Sequence, residues 1–399
     1  MNLFNIETSA FYPGSLSYQP SAMTGLPNSI EIGNYWSIHG SGIGDGTTAQ
    51  TTALGEFFER RHFYMEVTAD SSSTLSDALC KEESNDFIAA FTQTSTEALS
   101  ENSLVTHAFN MSTVVRTKDF STCLIPTVCL SLSFFENTMD NSIYPARDTC
   151  GCSFHSSAEQ AIFGAIKESL ERQFLTRFWI TGNCSRIIDN SIGSDWLSHS
   201  TERHLFKALC CAGEVTIIDI TDENFPGTCL LLVYGCSDQM RNVQYCAGMS
   251  YNNSPQSALE KALLELWQTY RFIDRFRETS STLKDIDDPY LIHFLKCNEF
   301  KTYKNIIATN ESLHSPPPEK HEFNASTLIN EIRNKELNGY LYLRPLKIMG
   351  QFFYFCKFTS PNLFMHMNNS SNINLSNRYS KAFSESFIPN RLTTMVPFP

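Results

Sequence analysis

The sequence predicts a mixed α/β (α+β) fold, on three observations. Long helical stretches are interspersed with short β-rich runs. Hydrophobic residues make up 42% of the chain and aromatics 12%, enough to fill a sizeable core. Charged residues are only 18%, too few for a globally disordered chain. At 399 residues, one large unit or two coupled ones are expected.

The elements follow in order. Residues 1–45 are rich in Ser, Gly, Asn and Pro and read as irregular structure with short strands. Gly42, Gly44 and Gly46 then open into a helix expected over 48–65. A second helix is expected over 77–98, ending near a Ser, Glu and Asn cluster. Strand-like runs follow at 104–109, at Val114 and Val115, and at 123–135. Residues 148–155 read as a loop leading into a long helix over 158–179. Residues 214–220 and 229–234 read as paired strands around a Phe225-Pro226-Gly227 turn, and 245–250 as another strand. A third strong helix spans 255–276. Beyond it the periodicity weakens. Ser315-Pro316-Pro317-Pro318-Glu319-Lys320 marks an exposed loop or linker, and 340–343 and 351–358 read as two strands joined by a turn. The Met395-Val396-Pro397-Phe398-Pro399 ending excludes regular helix and central strand.

Charge narrows the function classes. Lys and Arg number 30 against 42 Asp and Glu, a net charge of -12. Nucleic acid and anionic membranes select a dense basic surface, so neither is an expected partner. The N-terminus has no basic region followed by an apolar run, and the longest apolar stretch, 229–234, is too short to span a bilayer. Thirteen cysteines in such a chain read as reduced thiols in the cytoplasm. Cys150-Gly151-Cys152 and Cys210-Cys211 lack zinc-ligand spacing, and no second pair completes them.

Three helices share one rule, Ala-x3-Ala-x2-Glu-x2-[Glu/Gln]. It appears as Ala49, Ala53, Glu56 and Glu59, as Ala161, Ala165, Glu168 and Glu171, and as Ala258, Ala262, Glu265 and Gln268. At ~100° per residue these positions fall within about one third of the helix circumference. Small residues there allow close packing, which puts the carboxylates on the packed side. A single Glu pair at i,i+3 is usually a solvated face; three repeats of a four-position rule point to a site. Buried carboxylates need compensation, and Mg2+ suits them because it takes oxygen ligands and bridges phosphates. Arg60 and Arg172 each sit four residues after the first Glu of their motif, placed for pairing or for meeting a phosphate.

Other nucleotide and metal signatures are missing. No GxxxxGK[ST] loop occurs, and Gly42-x-Gly44-x-Gly46 is too short for the dinucleotide fingerprint. Glu-x-x-His occurs in one of the three helices only, as Glu59-x-x-His62, where a di-iron bundle needs it on two.

These motifs resemble the YcaO superfamily, which binds Mg-ATP through Ser-x3-Glu-x2-Glu-Arg, Glu-x2-Glu-Arg and Glu-x2-Gln. Here they read Thr52-x3-Glu56-x2-Glu59-Arg60, Glu168-x2-Glu171-Arg172 and Glu265-x2-Gln268. The segments 55–62, 147–155, 265–268 and 366–370, with the Pro-rich ending, are most similar to the branch found in microcin-B-type azole synthetases. The resemblance implies a single catalytic domain over 1–399. It comprises an N-terminal segment 1–45, an ATP-binding core 46–275, and a C-terminal region 276–399 whose tail reaches the active site. It implies a YcaO-like fold, with Glu-bearing helices and β-sheets around an ATP pocket. The chain departs from the family at four positions: Thr52 stands for Ser, Gln160 for Glu, Lys261 for Arg, and Asp45 for a Lys, so no phosphate role is carried onto Asp45.

The implied activity is ATP-dependent cyclodehydration of a ribosomal precursor peptide. A Cys, Ser or Thr side chain attacks the preceding carbonyl, the amide oxygen is phosphorylated, and a thiazoline or oxazoline forms. Implied cofactors are ATP and Mg2+. Glu56, Glu59, Glu168, Glu171 and Glu265 are the expected magnesium or ATP contacts. Arg172 and Lys261 are expected on phosphate, with Thr52, Gln160 and Gln268 completing the pocket. The carboxylate of Pro399 is the first expected base and Asp148 the second. Cys150 and Cys152 are expected to face substrate or to pack, and His62, His155 and His366 to be structural. Implied partners are the precursor peptide, a subunit that binds its leader, and an FMN-dependent azoline dehydrogenase. The alternatives are thioamide or amidine formation by the same ATP chemistry, a small-molecule ligase, and a non-catalytic peptide-binding scaffold.

Overall fold

The computed structural model describes residues 25–33, 38–96, 99–134, 138–279, 282–286, 288–308, 310–311, 322–348 and 350–398. Three long helices dominate them: α1 (Gly46–Met65), α2 (Ala158–Thr181) and α3 (Pro255–Glu278). Each starts at a side-chain cap, because a helix leaves its first N–H groups unpaired. Asp45 accepts from the Thr48 N–H, Ser157 from Gln160 and Ser254 from Ser257. Gly182, at φ 67°, ends α2 in the left-handed conformation that glycine tolerates best.

The strands in chain order are β1 (Asn28–Gly33), β2 (His39–Gly44), β3 (Ser71–Ser73), β4 (Phe109–Arg116), β5 (Thr122–Pro126), β6 (Cys152–His155), β7 (Asn183–Cys184), β8 (Arg186–Ile188), β9 (Glu214–Asp219), β10 (Thr228–Gly235), β11 (Tyr245–Asn252), β12 (Asn310–Glu311), β13 (Tyr340–Ile348) and β14 (Gln351–Thr359). β1 and β2 form an antiparallel hairpin, and β12 pairs in parallel with β7. One antiparallel sheet runs β11-β10-β9-β8; the other runs β3-β4-β13-β14-β6, with β5 on β4. β10 and β11 are buried along nearly their whole length, so both of their faces are covered. The largest apolar cluster joins α2, α3 and the four-stranded sheet. A second, around Phe63, Phe87, Phe91, Phe109 and Phe355, lies on the other sheet.

Several sequence expectations are corrected. The helix expected over 77–98 is two helices, Leu75–Ala78 and Lys81–Thr94. Leu79 and Cys80 are extended, and the Glu83 carboxylate accepts the Cys80 N–H to restart the second helix. The run at 104–109 is the end of a helix, Glu101–Thr106, before β4 begins; Leu104 is simply its buried residue. The strand expected over 123–135 stops at Pro126, which cannot donate to a ladder, and becomes a 3-10 turn over Thr127–Cys129. The loop expected over 148–155 contains β6, too short for alternation to show and paired only with distant β14. Helices Pro289–Lys296, Phe300–Ile307 and Ala325–Asn334 fill the region of weak periodicity. The linker expected at 315–320 lies outside the described residues. No helix among the described residues is long and apolar enough to cross a membrane.

Candidate active site

Each long helix follows directly on a strand: α1 on β2, α2 on β6 and α3 on β11. Counted from the caps, the motif keeps one register. Ala, Ala, Glu and Glu or Gln lie four, eight, eleven and fourteen residues beyond Asp45 (49, 53, 56, 59), Ser157 (161, 165, 168, 171) and Ser254 (258, 262, 265, 268). The alanines bed the helix on its strand. A Cβ on Gly42 would lie 1.8 Å from the Ala49 carbonyl oxygen, and one on Gly248 2.4 Å from that of Ala262. Under α2 the Ser153 hydroxyl donates to the Ala161 carbonyl at 2.5 Å.

Past the alanines the glutamates meet strand N–H groups. Ser41 donates to Glu56 at 2.5 Å, Tyr251 to Glu171 at 2.6 Å and Met249 to Glu265 at 3.4 Å. Arg60 pairs with Glu56 and donates to the His39 carbonyl at 3.0 Å, so the pairing read from i,i+4 spacing is formed.

The carboxylates converge on one cleft. Glu171 is buried, Glu56, Glu59 and Glu168 are half-buried and Glu265 is open to solvent on one side. Burial, then Glu56, pushes Glu59 up to about 8; burial, then Glu171, pushes Glu265 up to about 8. Burial also holds Glu168 well above the usual carboxylate range, with Glu59, Glu171 and Asp148 adding to the effect. Arg172 stands among them: burial opposes its charge, but Glu171, Glu168 and Glu265 together hold it above the ordinary range. Lys261 faces Lys167, Glu265 and Glu171; Lys167 first, then burial, lowers its pKa. Two facing lysines invite an anion. Gln268 is half-buried at the register position of Glu59 and Glu171. Thr52 and Gln160 are exposed, and Gln160 lies in the first turn of α2, roughly 16 Å of helix rise from Glu171.

Asp148 accepts the Cys150 N–H at 3.0 Å and the Met367 N–H at 2.9 Å, one on each carboxylate oxygen. Lys357, on β14, donates to the Asp148 carbonyl at 3.0 Å and to the Cys152 sulfur at 3.4 Å. Burial pushes both Cys150 and Cys152 thiols up, so neither is a poised thiolate, and all thirteen cysteines are free. His62 bonds Glu66 and the Tyr342 hydroxyl and stacks on Phe355 at 4.0 Å, a packing role. His366 bonds the Asn372 carbonyl through Nε2; its buried Nδ1 has no hydrogen-bond partner. His155 is exposed and faces Lys167 and Lys261.

The tail is held by side chains. Trp179 donates to the Thr394 carbonyl at 2.9 Å, Tyr245 to Pro397 at 2.6 Å and Tyr290 to Phe398 at 2.6 Å. Phe398 is buried against Trp179, ring to ring at right angles. Tyr290 also feels Arg172, Asp148 and Cys150, so the tail runs beside the cleft. Pro399 lies outside the described residues.

Sequence reasoning missed Lys167, Lys357 and Tyr290. Lys357 had a signal: it is the one charge in the run Phe352-Phe353-Tyr354-Phe355-Cys356-Lys357-Phe358. Tyr290 had none.

Among the described residues, no three His, Cys, Asp or Glu side chains are grouped closely enough to hold a metal by themselves. The donor set still fits Mg2+, which takes one or two carboxylates and fills its shell with phosphate oxygens and water. Burial, with the neighbouring carboxyls adding to it, disfavours the ionised forms here, and a bound Mg2+ would supply the positive charge that favours them.

A family model described as YcaO cyclodehydratase, ATP- and Mg2+-binding, matches residues 40–361. The chain belongs to the YcaO cyclodehydratase family. The microcin B17-processing protein McbD of Escherichia coli is 31% identical to it over 392 residues, 97% of each chain. Two solved E. coli microcin synthetase McbBCD complexes, one with pro-MccB17 bound, each match with a TM-score of 0.88 at 30% identity over 97% of each chain. A YcaO structure from Methanopyrus kandleri with AMPPCP and Mg2+ matches with a TM-score of 0.58 over 90% of this chain and 88% of the other; at 12% identity it shares the fold. This YcaO chain is an ATP-dependent cyclodehydratase that uses Mg2+.

The raised carboxyls of this YcaO cleft give a stability signature. Folded Glu59 and Glu265 keep protons that the unfolded chain releases between about pH 4.5 and about pH 8. Their contribution is therefore most favourable below that window and is lost as pH rises through it. The Tm of the nucleotide-free protein is expected to fall between about pH 5 and pH 8, less steeply with Mg-ATP present. A scanning-calorimetry series in which Tm rises across that range would refute the assignment.

Proposed function

We propose that the chain converts Cys and Ser (Thr) residues of a ribosomal precursor peptide to thiazolines and oxazolines, on the way to an azole-modified peptide. The observation that carries this is the convergence of three motif helices, at one register, on a carboxyl-rich cleft bordered by Asp148, Lys357 and the tail. The substrate thiol or hydroxyl adds to the preceding amide carbon, and its proton passes to a base. The resulting oxyanion displaces ADP from the γ-phosphorus of ATP. The C–O bond then breaks with loss of phosphate, and the amide nitrogen loses its proton as C=N forms. The sum is peptide and ATP to azoline, ADP and phosphate.

Positioning and charge neutralisation are the demands of phosphoryl transfer. Glu56, Glu59, Glu168, Glu171 and Glu265 are the proposed magnesium or ATP contacts, with Glu56, Glu171 and Glu265 held by the Ser41, Tyr251 and Met249 N–H groups. Mg2+ supplies neutralisation of phosphate charge. Arg172 and Lys261 are placed on phosphate, with Thr52, Gln160 and Gln268 around the nucleotide. The carboxyl group of Pro399, one residue beyond Phe398, is the proposed base. Asp148, both of whose oxygens accept N–H groups, is placed second.

The McbBCD complexes, one with pro-MccB17 bound, support a precursor peptide and further subunits as partners; the subunits proposed are one that binds the leader and an FMN-dependent azoline dehydrogenase. Thirteen free cysteines fit a reducing cytoplasm.

The test is co-expression of a candidate precursor with this chain and its partner subunits, read by mass spectrometry. Loss of one water per Cys or Ser, followed by loss of hydrogen, is the expected result. Exchange of oxygen for sulfur in a peptide bond would move the assignment to thioamide formation.

A further inference from the structure

The segment His366-Met367-Asn368-Asn369-Ser370 stands out in the sequence, and the functional reading leaves it without a role. Asn369 is 2% exposed, and its whole amide is engaged. Nδ2 donates to the Arg391 carbonyl at 2.6 Å and to the Thr394 carbonyl at 2.8 Å, and Oδ1 accepts the Val396 N–H at 2.9 Å. Every one of these bonds goes to the C-terminal segment. That segment has no ladder or long helix of its own, so side chains must fix its path. Two residues earlier on the same loop, the Met367 N–H grips the Asp148 carboxylate. One short loop therefore touches Asp148 and the segment that leads towards the C-terminus.

We propose that Asn369 is a positioning residue for the reaction, clamping the C-terminal segment beside the cleft from the loop that also holds Asp148. The inference rests on the tail reading given above. Within the clamped stretch His293 meets the Met395 carbonyl at 3.1 Å, and beyond it Tyr245 and Tyr290 take the next two anchors, Pro397 and Phe398. Asn369 fixes where that run begins, so its loss lets the segment slide without touching the nucleotide cleft.

The test uses the full chain with its partner subunits and compares wild type, Asn369→Asp, Asn369→Ala and a chain lacking residues 397–399. Asn369→Asp keeps the size and the acceptor but turns a carboxylate toward two carbonyls. Three readouts apply: release of terminal residues by carboxypeptidase, kcat for peptide-dependent ATP hydrolysis, and calorimetric binding of Mg-AMPPNP. The expected result is terminal release about tenfold faster and kcat about tenfold lower, with nucleotide affinity within about threefold of wild type. A protected tail in both variants overturns the proposal. So does normal kcat in the variants when truncation abolishes it, because the clamp is then unnecessary. Failure of both variants to fold makes Asn369 a folding residue and also overturns it. Normal kcat in the truncated chain instead removes the tail reading itself, a separate failure.

Discussion

Glu168→Gln is expected to lower ATP-dependent turnover by about 10³-fold while leaving the Tm of the nucleotide-free protein unchanged or higher. Burial holds the Glu168 carboxyl well above its usual range, and Glu59, Glu171 and Asp148 push the same way against Arg172. Without bound cation the neutral acid is therefore favoured, and a glutamine has nearly its shape and no charge. Once a Mg-nucleotide must be held, a negative oxygen is needed there and the amide has none. A 10³-fold loss corresponds to about 4 kcal/mol of transition-state stabilisation. Paired thermal melts and steady-state ATP hydrolysis with peptide check both halves. Normal turnover would take Glu168 out of the site, and lost turnover with a large drop in Tm would make it a folding residue.

Lys357→Met is expected to destabilise the fold by about 2 kcal/mol and to raise the Mg2+ concentration for half-maximal turnover at least about tenfold. Lys357 is 5% exposed on β14. Burial works against its charge, but Cys152 and Asp148 beside it outweigh that and raise its pKa. Two effects follow from removing it. The Asp148 carbonyl loses a 3.0 Å donor, and Glu59 loses one of the two cations that favour its ionised form. Lys357→Arg restores charge but crowds a packed site, so it should recover part of the loss. Magnesium titrations of ATP hydrolysis, with denaturant melts of the same samples, give both numbers. An unchanged magnesium requirement in the Met variant would reduce Lys357 to a packing residue.

The three long helices were legible because each carries a cap and a long period. They were expected to start at 48, 158 and 255, and they start at Gly46, Ala158 and Pro255. The strands at 229–234, 245–250 and 351–358 were legible as apolar runs, each one or two residues shorter than β10, β11 and β14. The other half of the repeat was not. β2 is glycine-rich with no apolar alternation, and β6 has four residues that find their partner two hundred residues away. Their role depends on the helix that lies on them, a contact no local window contains. The glutamates could be read because helical spacing groups them. Lys357 and Tyr290 reach the cleft from β14 and from the helix Pro289–Lys296, so only tertiary pairing brings them there. The helices at 289–296 and 300–307 were missed because eight residues are too few to establish a period.

The fixed count from cap to carboxylate makes each long helix a ruler with its zero mark at Asp45, Ser157 or Ser254. A ruler tolerates changes of letter better than changes of length. One residue inserted between cap and glutamate turns that carboxylate by about 100° and lifts it about 1.5 Å along the axis, away from the other two helices. The same insertion beyond Glu59, Glu171 or Gln268 leaves all the marks in place. Lineages of this chain are therefore free to vary the far ends of these helices in length, while the stretches 45–59, 157–171 and 254–268 can change only by substitution.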